Sequence, residues 1–227
     1  MSLVEHLSEL RRRIAISAIA IAAASAIGFY LAPQVITILK APIPGPLQFL
    51  TVGGAFFLQV RIAVIVGIGF AMPVVLYQVW AFVAPGLTPQ ERRVARPWIP
   101  LSVVFFLLGL GVAYLILPYT VGFLRSFEIP GVLEEGITAE NYFGFITTMF
   151  LAFGVIMQFP TVLVLLNRLG ILTLDRLRSS RRYVLLGIVI VSVVITPGGD
   201  PVSPMIMSIV MYALYEGTII MLRRSGR

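Results

Sequence analysis

No charge interrupts the 19 residues at 14–32, and that stretch decides the solvent in which the chain folds. As a helix it rises about 28 Å, close to the roughly 30 Å hydrocarbon core of a bilayer. Five more stretches are similarly poor in charge: 62–83, 101–124, 143–166, 183–196 and 205–222. Across the chain 59% of residues are apolar and only 12% are charged, more apolar surface than a soluble domain of this size can bury. The expected fold is therefore all-α and polytopic, a single transmembrane domain over 1–227 with six kinked and tilted helices and a cap of external loops.

Charge sets the orientation. With the N-terminus inside, 14 of the 17 basic residues fall on the cytoplasmic side, leaving Lys40, Arg61 and Arg125 outside. The positive-inside rule then places both termini in the cytoplasm. The formal charge of +7 is mostly this topology signal and gives little support to nucleic-acid binding. Arg11 to Arg13 before an apolar run superficially fits a cleavable signal, but the run is longer than an ordinary signal core. Chemistry for catalysis is sparse. The chain has no cysteine, so it offers no disulfide, thiolate metal site or cysteine nucleophile. His6 is its one histidine and Lys40 its one lysine, with no phosphate-binding loop and no HExxH. Asp175 and Asp200 lie on opposite sides of the membrane. No enzyme activity, cofactor or metal is expected.

Residues 2–13 read as an amphipathic helix lying on the membrane surface before the chain turns inward. Ser2 and Glu5 have capping-box spacing, and Leu3, Leu7, Leu10 and Ile14 form one stripe. Ala18, Ala22 and Ala26 recur every four residues in the first span, a face suited to close helix contact. Residues 33–54, with Pro33, Pro42, Pro44 and Pro46, are expected to form an external cap. Pro73, Pro118 and Pro160 predict kinks. The last two spans look short: 14 residues at 183–196 rise about 21 Å, and Glu216 interrupts the sixth. Such helices either thin the bilayer or shelter against partner helices. A fifth helix starting earlier, at Leu174, removes part of the deficit.

Two carboxylates stand on the cytoplasmic side beside apolar stripes. Glu9 sits four residues before Arg13, which suits an i, i+4 ion pair. Glu91 follows Thr88 and Pro89 at the spacing of a helix start. Both readings give these acids an internal use, and both stay open. The wording of the chain adds another. "HLSELRRR", "LYQVWAFVAPGLTPQERR", "FGVIMQFP", "RSSRRYVLLG" and "MYALYE" resemble, in order and over nearly the whole length, the TatC family, the polytopic core of the twin-arginine protein translocase.

The resemblance implies a receptor and scaffold in a bacterial or archaeal cytoplasmic membrane. It would bind twin-arginine signal peptides of folded cargo and work with single-span TatA and TatB type subunits. Self-association and use of the proton-motive force are further implications. Glu9 and Glu91 match the acidic positions that face the signal's arginines, and Arg11 and Phe82 match their neighbours. A guanidinium meets a carboxylate bidentately, which an ammonium cannot. At about 1.5–3 kcal/mol per charged hydrogen bond, two such pairs discriminate roughly 10²- to 10⁴-fold before screening. Gln158 stands where many relatives carry glutamate; it cannot titrate, so a partner clamp and an ordinary interhelical hydrogen bond are its open roles. Glu216 is an ionisable group within a span, close enough to the inner end to snorkel. Met205 is a candidate partner contact, and Asp200 and Pro42 are candidate external-loop positions. A small secondary transporter, suggested by intramembrane polar groups and broken helices, is the alternative class.

Overall fold

The structure, a computed structural model, describes residues 3–89, 92–93, 96–129 and 136–224. Among them are eight α-helices: α1 (Leu3–Lys40), α2 (Gly54–Val83), α3 (Trp98–Arg125), α4 (Ala139–Ile156), α5 (Phe159–Arg168), α6 (Leu174–Ser179), α7 (Arg181–Ile195) and α8 (Val202–Arg224). A single 3₁₀ turn, Ala84–Gly86, follows α2. Five helical stretches are long and apolar enough to cross a membrane, the five that contain α1, α2, α3, α4 with α5, and α8. The sixth apolar helix, α7, has only 15 residues. The chain divides into two compact units, one of residues 1–41 and 51–104, the other of 42–50 and 105–227.

The first unit is built on α1 and α2. Gly28 lies against the Ala63 backbone and Gly67 against Ser25, each so close that an added Cβ would clash. Contacts farther along pair Arg13 with Gln78. As numbering rises along α1 it falls along α2, so the two helices run antiparallel. Small residues permit this approach, which in lipid supplies packing that hydrophobicity alone cannot. Ala18, Ala22 and Ala26 are all exposed, so the expected alanine face is not the one used within the chain. No break separates a surface helix from the first span. α1 is continuous for 38 residues and carries Pro33 inside it, where Thr37 Oγ1 donates to the Pro33 carbonyl at 2.9 Å. The loop after it is correspondingly shorter than expected, starting at Ala41.

The second unit packs the later part of α3 against α4. Phe106, Leu117, Phe143, Ile146, Met149 and Phe153 are essentially inaccessible, and Gly109 and Gly154 make room for the Phe153 backbone and the Phe106 ring. A buried Thr120–Ser203 hydroxyl contact of 2.7 Å ties α3 to α8. Of the three expected kinks, Pro73 and Pro118 lie inside unbroken helices. Pro160 does interrupt one: α4 ends at Ile156, the residue whose carbonyl Pro160 has no N–H to reach, and α5 resumes at Phe159. In the loop of residues 42–50, Pro42 is half-buried and Ile43 buried. The Gln48 carbonyl there accepts from the Ala139 N–H at 2.9 Å.

Two expectations about the last helices need correction. The fifth span gains nothing from Leu174, because α6 is a separate helix ended by Ser180 at φ −90°, ψ 6°. The sixth is not cut short at Glu216; α8 runs through it for 23 residues. Arg181 Nη2 meets Glu216 Oε2 at 2.8 Å and the Tyr212 hydroxyl donates to Oε1 at 3.1 Å, so the charge is compensated where it stands.

Candidate functional site: a groove beside α1 and α2 with a half-used carboxylate

Residues 6, 9 and 13 of α1 are spaced by three and four, so they share one face. α2 approaches that face with Gln78 and Phe82 in its last turns. Gln78 is the one amide in an otherwise apolar run and is only 8% exposed. Its Oε1 accepts from Arg13 Nη1 at 2.9 Å, while Arg13 Nη2 donates to Glu9 Oε1 at 3.1 Å. The i, i+4 pair open to Glu9 from sequence is therefore formed. It is a single contact. Glu9 Oε2 and Arg13 Nε are both buried and have no hydrogen-bond partner.

Glu9 and Arg13 line a groove of about 680 Å³ with Tyr77 and Trp80 of α2, the Ala84–Pro85 turn, and Arg92, Arg93, Arg96 and Ile99. Glu9 is thus internally paired yet faces open space. Glu91 lies outside the described residues. The Thr88 carbonyl accepts from Arg92 N–H at 2.9 Å, as the residue before a helix does. Phe82 is half-buried and stacks on His6 with ring centroids 4.4 Å apart. Arg11 is exposed and forms no ion pair among the described residues. Neither Arg11 nor Phe82 is in the groove lining. Sequence reasoning missed Gln78, which holds Arg13 from α2 without itself lining the groove; a lone amide inside an apolar run was the available signal.

The remaining candidates lie in the second unit. Asp200 is in the loop between α7 and α8 and is 2% exposed. Its Oδ1 accepts from Ser203 N–H at 2.7 Å, and its Oδ2 is buried without a partner. The preceding Gly198 and Gly199 have φ of 97° and 68°, which glycine adopts freely. Asp200 and the exposed Met205 border a second groove, of about 560 Å³, with Val189, Val193, Thr196 and Ile209. Gln158, half-buried, sits at the break between α4 and α5. The structure brings Asp200 and Met205 together and leaves Gln158 and Glu216 outside that groove's lining.

Comparison with known proteins agrees with this architecture. Residues 5–209 match the family model for TatC, the Sec-independent protein translocase protein. The TatC of Deinococcus radiodurans is 36% identical, with 97% of this chain and 85% of that protein aligned. TatCy of Bacillus subtilis is 34% identical over all of this chain and 91% of its own length. A crystal structure described as the twin arginine translocase receptor TatC in DDM superposes with a TM-score of 0.80 at 33% identity, covering 95% of this chain and 98% of that one. The helices that face lipid, the motifs that surround the groove and the full-length match converge, and this chain belongs to the TatC family of Sec-independent protein translocase proteins.

Proposed function

We propose that the chain is the signal-peptide receptor of a twin-arginine translocase, and that the groove holding Glu9 receives the paired arginines. The observation that carries this reading is the free Glu9 Oε2, buried in the wall of an open groove while Oε1 is held by Arg13. A buried acceptor without a partner costs about 1–3 kcal/mol, and a visiting guanidinium removes that cost. Glu91 supplies the second carboxylate, with Phe82 and Arg11 flanking. Both termini face the cytoplasm in this reading, since 14 of 17 basic residues then lie inside. TatA and TatB type subunits dock on apolar faces such as that around Met205, and export of folded cargo draws on the proton-motive force. Gln158 and Glu216 serve packing rather than proton relay.

The test is binding of a twin-arginine signal peptide against its twin-lysine counterpart. At least about tenfold preference for arginine is expected, from one charged hydrogen bond at 1.5 kcal/mol or more. The preference should vanish in the Glu9→Ala, Glu91→Ala double variant. A double variant that binds like the unaltered protein removes the assignment. The transporter class gains no support from the family.

A further inference from the structure

The groove around Glu9 carries more positive charge than its acid can neutralise. Four arginines line it, Arg13, Arg92, Arg93 and Arg96. Arg13 is committed to Glu9 and Gln78. Arg92 uses Nε on the Ala84 carbonyl at 2.6 Å, and its terminal nitrogens have no ion pair among the described residues. Arg93 and Arg96 are exposed and make no ion pair among the described residues. Counting Glu91 from the sequence, four guanidiniums still meet two carboxylates. Clustered cations repel, and the repulsion is relieved by an anion they share. A peptide bearing consecutive arginines engages the carboxylates and leaves this excess uncompensated, so the charge calls for a second, anionic occupant.

The surroundings select among anions. The arginines begin where the apolar run of α2 ends, and they stop where that of α3 starts at Trp98. Tyr77 and Trp80 stand in the same wall, and these residue types concentrate at the headgroup level of membranes. Ala81, Ala84, Pro85 and Ile99 give the rest of the wall an apolar character. A dissolved anion has no use for such a wall. A glycerophospholipid has a phosphodiester for the guanidiniums, which bind phosphate oxygens in pairs, and acyl chains for the apolar side. We propose that this groove binds the headgroup of an anionic glycerophospholipid, with Arg93 and Arg96 as its phosphate ligands and Trp80 beside the upper acyl chain. Its ligands Arg93 and Arg96 are not the carboxylates assigned to the signal peptide, so lipid and peptide use different side chains of one groove.

The chain has two tryptophans, Trp80 in the groove wall and Trp98, which is buried. In a Trp98→Phe variant Trp80 is the only indole. The full chain is reconstituted in phosphatidylcholine vesicles containing phosphatidylglycerol or phosphatidylcholine brominated on the acyl chains. Half-quenching of Trp80 should need about fivefold less brominated phosphatidylglycerol, the factor that one favourable juxtamembrane charge supplies. Adding Arg93→Gln and Arg96→Gln should equalise the two lipids. Adding Arg223→Gln and Arg224→Gln, an equal loss of charge at the end of α8, should leave the preference intact. Equal quenching by both lipids in the Trp98→Phe protein overturns the proposal, as does an equal loss of preference in both arginine pairs. Should the Arg93, Arg96 double variant fail to reconstitute, each single variant should show a partial loss, and no loss in either is the overturning result.

Discussion

Glu9 and Arg13 stand one helical turn apart, and the pair they form uses one oxygen and one terminal nitrogen. What keeps Arg13 from turning both nitrogens onto Glu9 is Gln78, whose carbonyl oxygen holds Nη1 at 2.9 Å from a nearly inaccessible position. Gln78 thereby leaves the buried Oε2 without a partner. Replacing it with leucine frees Nη1, and Arg13 then competes for both oxygens of Glu9. Affinity for a twin-arginine peptide should fall about three- to tenfold in Gln78→Leu, the effect of one charged hydrogen bond after screening at an interface. Isothermal titration on the detergent-solubilised protein measures it, and an unchanged affinity denies Gln78 its part. The two carboxylates and their proximity to apolar stripes were legible as sequence. Arg13 was legible as the partner of Glu9, but the long-range partners were not, because Gln78 is 65 residues from Arg13 and Arg181 is 35 from Glu216. Spacing rules reach only one or two turns.

At the scale of elements, the contact between α1 and α2 depends on two glycines. A Cβ at position 28 would lie 2.3 Å from the Ala63 carbonyl oxygen, and one at 67 would lie 2.7 Å from Ser25 Cα. Backbone atoms cannot step aside as a flexible side chain can. Gly67→Val should force the helices apart and cost about 1–3 kcal/mol, the usual range for overpacking. Gly69, two residues on, has nothing within 4 Å of an added Cβ, so Gly69→Ala should be neutral or slightly favourable. Thermal unfolding in detergent separates the two, and equal midpoints would contradict the packing argument. The helical character of these segments was legible from their length without charge. The contact face was not. Residues 15–26 are small almost all round, so periodicity offers several equivalent rows, and the choice belongs to the partner's Ala63 and Gly67. Proline gave a similar ambiguity: Pro160 ends a helix whereas Pro33, Pro73 and Pro118 are carried inside one. The proline rule says which carbonyl loses its donor, not whether the surrounding contacts tolerate that loss.

For the whole molecule the unequal length of its apolar helices matters most. α8 has 23 residues and rises about 35 Å, enough to cross, while α7 has 15 and rises about 22 Å against a core of about 30 Å. α7 has no reserve at either end. Ser180 separates it from α6, and Thr196 to Pro201 leads away in a turn with two left-handed glycines. Arg181 and Arg182 at its start can reach a few ångströms toward water, but the far end has only Thr196 and the buried Asp200. Since mismatch costs a fraction of a kcal/mol per Å, a deficit near 8 Å is affordable as local thinning, and most of α7's side chains are exposed and face whatever surrounds them. The bilayer should therefore be thinner beside α7 than beside α2. The chain contains no cysteine, so Arg182→Cys and Ile195→Cys can carry spin labels without background. Depth measurements in vesicles should place both labels at headgroup level, about 20 Å apart along the normal. An Ile195 label found well inside the hydrocarbon, with the Arg182 label at the surface, would mean that the lipid keeps its ordinary thickness and that a partner helix must shelter the short one.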